Sequence, residues 1–194
     1  NWLAREEAGK LFNRAWFEVV DAIPAGGITV RYWDFAATAS KFAKDKPDFT
    51  ATVKMRRVGD QFFILDAQAI QVDPAMANRM VLNTAAQDGP DVHIRWEEEG
   101  GASGKRDSHT LVSLLRGHDA RGVKPQGDKI LRAKAVAAQA LAGNVKLLRG
   151  GWNNELLTHL HSQPAAHDDL MDATSGAFNF FIATRLKTGR SYRG

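Results

Sequence analysis

The spacing of apolar and polar positions divides the chain into short elements. In residues 4–21 (AREEAGKLFNRAWFEVVD), Leu11, Phe12, Ala15, Trp16, Val19 and Val20 follow an i, i+3, i+4 rhythm, which predicts an amphipathic helix or an extended arm, stopped by PAGG. ITVRYWDFA at 28–36 is dense in β-branched and aromatic residues and predicts a strand. FTATVKMRR and QFFILDAQAI predict two more strands, joined by a hairpin turn at Val58, Gly59 and Asp60. Pro74 opens a helix that runs to about Gln87, with Ala77, Met80, Val81 and Thr84 on one side. DVHIRW is a further strand that stops abruptly at EEEGGASGK. Beyond it the pattern alternates: helix 106–116, strand ARGVKP, helix 128–141, strand NVKLL, helix 153–161 and a last helix 168–183.

Strands separated by helices imply a sheet with parallel members and helices on both faces, and the opening hairpins add antiparallel strands. Three antiparallel strands followed by strand–helix alternation predict an α/β fold with the mixed sheet of RNase H-like proteins. The length of 194 residues suits one domain with a terminal appendage. At 44% hydrophobic and 25% charged residues, wholesale disorder and fibrous repeats are excluded. No apolar run reaches the roughly 18 residues of a membrane span, and NWLAREEAGK does not read as a signal peptide. With no cysteine there is no disulfide, thiolate metal site or thiol nucleophile, which fits a reducing compartment. A first residue of Asn1 rather than Met suggests a piece of something longer.

Charge changes this picture less than its total suggests. The net +4 equals the four basic residues of the last eleven, TRLKTGRSYRG, which hold no acid. The remainder is neutral, so a basic face can come only from uneven distribution. One such stretch exists, since residues 104–134 carry eight Lys and Arg against three Asp.

Three acidic features stand where apolar neighbours make a charge unexpected. Asp34 lies between Val30–Trp33 and Phe35–Ala37, so either strand alternation turns it outward or a carboxylate is held in the core. Glu97, Glu98 and Glu99 follow VHIRW at the C-terminal end of a strand, where α/β sheets place their sites, although a solvated turn has the same composition. In HDDLMDA, Asp169 and Asp172 share a helical face while Leu170, Met171 and Ala173 pack, and Asp168 fits a helix cap. Acids on a first strand, a later strand end and a C-terminal helix could converge at one sheet edge. Such an all-oxygen set suits Mg²⁺ or Mn²⁺ rather than zinc, and two ions in one site can support phosphodiester hydrolysis.

The segments RYWDFAAT, DFTATVKM, FFILDAQ, WEEEGGASGK, GDKILRAKAVAAQALAGNVKLLRGGW and AHDDLMDATSGAF, in this order, resemble the nuclease domain of the large terminase subunit of tailed bacteriophages. The resemblance implies an RNase H-like domain over 28–183. Residues 1–27 are then an extension linking it to a packaging ATPase domain, and 184–194 a basic tail. It implies a metal-dependent endonuclease that cuts concatemeric viral DNA during packaging. The family's acidic positions fall on Asp34, Glu97, Asp169 and Asp172, as catalytic residues and ligands of two Mg²⁺ or Mn²⁺ ions. Lys105, Lys129 and Arg132 match positions flanking the acids, where they contact DNA phosphates or, for the last two, form helix-surface ion pairs. Asp66 and His167 are second-tier, Asp66 in a structural role and His167 beside the acidic pair. Implied partners are double-stranded DNA, the ATPase domain, the portal and the small terminase subunit, with no membrane. The implied location is the host cytoplasm, transiently at the procapsid portal, without secretion.

GGASGKR is not a phosphate-binding loop, because Glu99 and Arg106 stand where GxxxxGK[ST] requires Gly and Ser or Thr. Two other readings use the same residues: an RNase H-like junction resolvase or transposase core, and a silent DNA- or portal-docking module. The docking module has no need for acids on three separate elements.

Overall fold

The computed structural model of the chain describes residues 10–35, 49–98, 100–125, 127–163 and 168–188, without the side chains of 102, 103, 106 and 184–188. One 3₁₀ turn (Arg14–Trp16) precedes β1 (Glu18–Val20), β2 (Ile28–Asp34), β3 (Thr50–Val58), β4 (Gln61–Ile70), α1 (Pro74–Asp88) and β5 (His93–Glu97). Then come α2 (Gly101–Leu114), β6 (Ala120–Val123), α3 (Lys129–Leu141), β7 (Val145–Leu148), α4 (Asn153–His161) and α5 (Asp169–Thr188).

The seven strands form one sheet in the order β1-β7-β4-β3-β2-β5-β6. Only the pairs β2–β3 and β3–β4 are antiparallel, so β3 alone runs against the rest and the sheet is mixed. The β3–β4 hairpin turns on Gly59 at φ +60°, a left-handed conformation that glycine adopts without steric penalty. Asp73 caps α1 by accepting from the Met76 amide at 2.9 Å, and Pro74 supplies the first-turn residue whose missing N–H is not needed. Asp128 caps α3 in the same way, accepting from Leu131 at 3.0 Å.

Alternation along the strands builds two cores. Val30, Tyr32, Val53, Met55, Phe62 and Ile64 face α3, α4 and α5, which contribute Val136, Ala140, Leu156, Leu160, Met171 and Phe178. Trp33, Ile94 and Trp96 face the other way, against Val81 and Ala85 of α1 and Leu111 of α2. Each large apolar side chain so buried contributes about 1.5–3 kcal/mol. The helix–sheet–helix layering expected from the sequence is therefore present.

Two local details are sharpened. Of the helix and the extended arm expected for residues 4–21, the extended arm forms within 10–21: after its 3₁₀ turn, β1 pairs in parallel with β7, Val19 opposite Leu147. Phe12 and Phe17 are buried in the larger core, so residues 12–20, upstream of the expected boundary at 28, share its sheet and packing. Only Val19 and Val20 of the six apolar positions lie in the strand, and Leu11, Phe12 and Trp16 pack against the core from the segment before it. The second is the start of α2: the strand stops at Glu97 as expected, but the helix begins at Gly101 rather than near 106.

Candidate metal centre at the sheet edge

Asp34 and Glu97 are the last residues of neighbouring parallel strands. Trp33 pairs with Trp96, and the next rung brings the two acids side by side, with the strands about 4.8 Å apart. Val30 and Tyr32 belong to the core on the α5 face, so Asp34, two residues on, faces α5 as well. Ile94 and Trp96 belong to the opposite core, which turns Glu97 toward α5. Glu98 goes the other way: a Cβ on Gly122 of β6 would meet Glu98 Oε2 at 2.9 Å, beside Trp96 Nε1 and Ser108 Oγ.

The remaining acids arrive on α5. Asp168 accepts the first helical bond, from the Asp172 amide at 2.9 Å, and Asp169 and Asp172 occupy the first turn. Gly176, one turn beyond Asp172, lets the helix lie against β2, because a Cβ there would stand 2.2 Å from Tyr32 Cε1. The close approach carries Asp172 down toward Asp34. Its carboxylate is largely buried, with the side chain 12% exposed. Its Oδ1 is buried without a hydrogen-bond partner among the described residues, and its Oδ2 contacts the ammonium of Lys129.

The first two basic positions on α3 meet these acids directly. Lys129 Nζ donates to Asp168 Oδ2 at 2.6 Å as well as to Asp172. Arg132 Nη2 lies 3.3 Å from Glu97 Oε2. Lys105 is exposed in the first turns of α2, at the same edge but on the opposite face of the sheet.

The crowding of negative charge shows in the proton affinities. Burial, followed by the charges of Asp172, Glu97 and Asp169, pushes the Asp34 carboxyl up to about 8 against the opposing pull of Lys129. Burial also raises Asp172 to about 6, despite its hydrogen bond to Lys129 and that group's charge. Tyr32, beneath the cluster, has its phenol raised by burial and by the charges of Glu97 and Asp34. Lys129 feels the reverse: burial disfavours its charge, but Asp168 and Asp172 more than compensate and raise it. Two unit charges 4 Å apart repel by about 4 kcal/mol at an effective dielectric of 20, so this arrangement calls for cations.

The four acids singled out in the sequence thus act on one another electrostatically at one edge. Asp168, read only as a cap, shares Lys129 with Asp172; its place beside two other acids at a helix start was the available signal. Asp66 lies elsewhere, held by Arg31 Nη1 at 2.7 Å on the face that packs against α1. His167 lies outside the described residues, as does the tail from 189 on.

The donor set is that of a hard divalent cation, and a buried carboxylate oxygen without a partner fits such an ion. Among the described residues, no group of three or more Asp, Glu or His side chains is disposed to hold a metal as it stands. The Lys129 ammonium supplies the compensating charge at Asp168 and Asp172 instead.

A mixed sheet with acids at the ends of the adjacent parallel strands β2 and β5 and at the start of the last helix is an RNase H-like arrangement. Residues 31–180 match the family model described as the terminase RNaseH-like domain, and the chain belongs to that family. No curated protein matches the sequence. Among solved structures, the Mn-soaked, inhibitor-bound terminase nuclease domain of human cytomegalovirus superposes with a TM-score of 0.59 at 16% identity, over 80% of this chain and 83% of that one. The large terminase nuclease of thermophilic phage G20c with bound zinc gives 0.62 at 11%, covering 87% and 97%. The P22 large terminase nuclease domain gives 0.63 at 11%, covering 90% and 94%. At these identities the likeness shows a shared fold.

Proposed function

We propose that this chain is a divalent-metal-dependent endonuclease that cuts concatemeric viral DNA at the start and end of genome packaging. The observation that carries the reading is the convergence of Asp34, Glu97, Asp169 and Asp172, from two strand ends and one helix, where burial and then the neighbouring carboxylates lift Asp34 to about 8. Membership of the terminase RNaseH-like family supports DNA as the substrate. The manganese and zinc of two structural neighbours support a divalent cofactor, for which Mg²⁺ or Mn²⁺ suits the oxygen donors best, as two ions.

The chemistry such ions supply when bound is activation of water and neutralisation of charge at the phosphate. The chain's own part is to hold them between Asp34 and Glu97 on one side and the α5 acids on the other. Arg132 and Lys129 border that cleft and give phosphate oxygens a charged partner without reading bases, so cleavage has little sequence preference. The partners are double-stranded DNA and, in the packaging machine, the ATPase domain, portal and small subunit. The site of action is the host cytoplasm, transiently at the procapsid portal.

The test is plasmid cleavage with Mn²⁺, with Mg²⁺ and with EDTA, beside Asp34→Ala. Cleavage that persists in EDTA and in the variant would remove this reading.

A further inference from the structure

Lys129 is the first residue of α3, where the helix dipole disfavours a cation, and the helix already has its cap in Asp128. Its position is therefore not explained by helix stability. Its ammonium reaches across to another helix, 2.6 Å from Asp168 Oδ2 and in contact with Asp172 Oδ2. Arg132, one turn on, is separately engaged with Glu97 at 3.3 Å. Two cations of one helix thus hold acids from both sides of the cluster, Arg132 on Glu97 and Lys129 on Asp168 and Asp172.

We propose that the Lys129 ammonium is a built-in counter-ion that holds Asp168 and Asp172 in the metal-free protein and must leave Asp172 before a divalent ion can bind there. The inference rests on the metal-site reading above. Nζ sits on Asp172 Oδ2 while Oδ1 of the same carboxylate is buried without a partner among the described residues, so a divalent ion on that carboxylate would stand close to the ammonium. A +1 and a +2 charge on the same carboxylate repel, so occupancy by one opposes the other. Lysine can make the exchange because its compact charge rides on a flexible four-carbon stem. The Lys129 side chain is 38% exposed, against 17% for Arg132, and so has a route outward that the arginine lacks. Once displaced, the ammonium lies at the rim of the cleft, within reach of a DNA phosphate. Metal binding and phosphate binding are thereby coupled through one side chain, each favouring the state the other needs.

Mn²⁺ binding to the purified chain, measured by calorimetry near pH 8.5 without DNA, tests this in wild type, Lys129→Met, Lys129→Gln and Arg132→Met. Both Lys129 variants are expected to bind Mn²⁺ about tenfold tighter than wild type, as removal of a direct competitor requires, and Arg132→Met less than about threefold tighter. Saturating Mn²⁺ should also raise the melting temperature of the Lys129 variants more than that of wild type. Unchanged or weaker binding in both Lys129 variants, with wild type still binding, overturns the counter-ion role and leaves the metal site standing. Equal tightening by Arg132→Met also overturns it, reducing the effect to general charge. Failure of every protein to bind Mn²⁺ overturns the metal reading and this inference with it.

Discussion

Gly176 of α5 rests directly on the ring of Tyr32 of β2, and a Cβ at that position would overlap three ring atoms at 2.2–2.5 Å. The contact sets how deeply the helix that carries Asp169 and Asp172 settles on the strand that ends in Asp34. Gly176→Ala gains helix propensity of about 1 kcal/mol but forces the helix or the ring to move, an overpacking penalty of about 1–3 kcal/mol. The expected outcome is a modest loss of stability in urea unfolding together with a Mn²⁺ affinity at least about tenfold weaker, since α5 is lifted from its partners. Unaltered metal affinity in a folded Gly176→Ala protein would show that this contact does not set the site.

Glu97 and Glu98 are adjacent in sequence and opposite in space. Glu97→Gln should lower metal-dependent plasmid cleavage about 100-fold or more, because it removes charge from the cluster face and leaves Arg132 without its partner. Glu98→Gln, on the Gly122 side, should stay within about threefold of wild type. Cleavage assays on the two variants at matched Mn²⁺ check the assignment directly.

The proton affinities of the cluster predict how metal and pH compete. Asp34 has its folded value raised to about 8 from 3.8, and Asp172 to about 6, so the folded state binds more protons than the unfolded state between these limits. Metal-free stability from these two groups is therefore greatest below about pH 4 and declines as pH rises through about 6 and then 8. Mn²⁺ needs the ionised forms and should release protons on binding near pH 6.5, with release fading above about pH 9. Calorimetry in buffers of different ionisation enthalpy measures the proton count.

On the other face of the sheet, Arg31 is buried with its guanidinium on Asp88, at 2.8 and 3.1 Å, and on Asp66 at 2.7 Å. Burial raises the Asp88 carboxyl, but Arg31 and Lys54 outweigh it and hold it below the ordinary carboxylate value. Its contribution is therefore present above about pH 4 and lost as pH falls below that. Asp88→Ala leaves a buried, partly unpaired guanidinium and should destabilise by about 3 kcal/mol in chemical unfolding at pH 7. The folded fraction should keep its cleavage rate, since neither residue faces the acids.

Asp34 and Asp172 were legible because each stands among apolar neighbours, and Glu97 because it closes a strand at the end where α/β sheets place their sites. The hairpin at Gly59 and the helix start at Pro74 were legible from local turn and helix-start chemistry. β1 was not, because three residues become a strand only through pairing with β7, more than 120 positions away. Lys129 could be placed near the acids, but its pairing with Asp168 and Asp172 depends on where α3 crosses α5, which no spacing within either helix encodes. Gly176 carried no signal, since a glycine inside a helical pattern looks like a weakness until the ring beneath it is known.

The order of the strands also bears on how the molecule is made. β1 and β2 are made before the other strands, yet β1 can pair only once β7 exists, and Asp34 meets Asp169 and Asp172 only when α5 has been synthesised. Such non-local closure is slow and comes late, because loop entropy must be overcome before the contacts repay it. A nascent or truncated chain ending before residue 168 therefore carries two of the four acids and none of those on α5. On the proposed function, cutting would therefore have to await a finished domain.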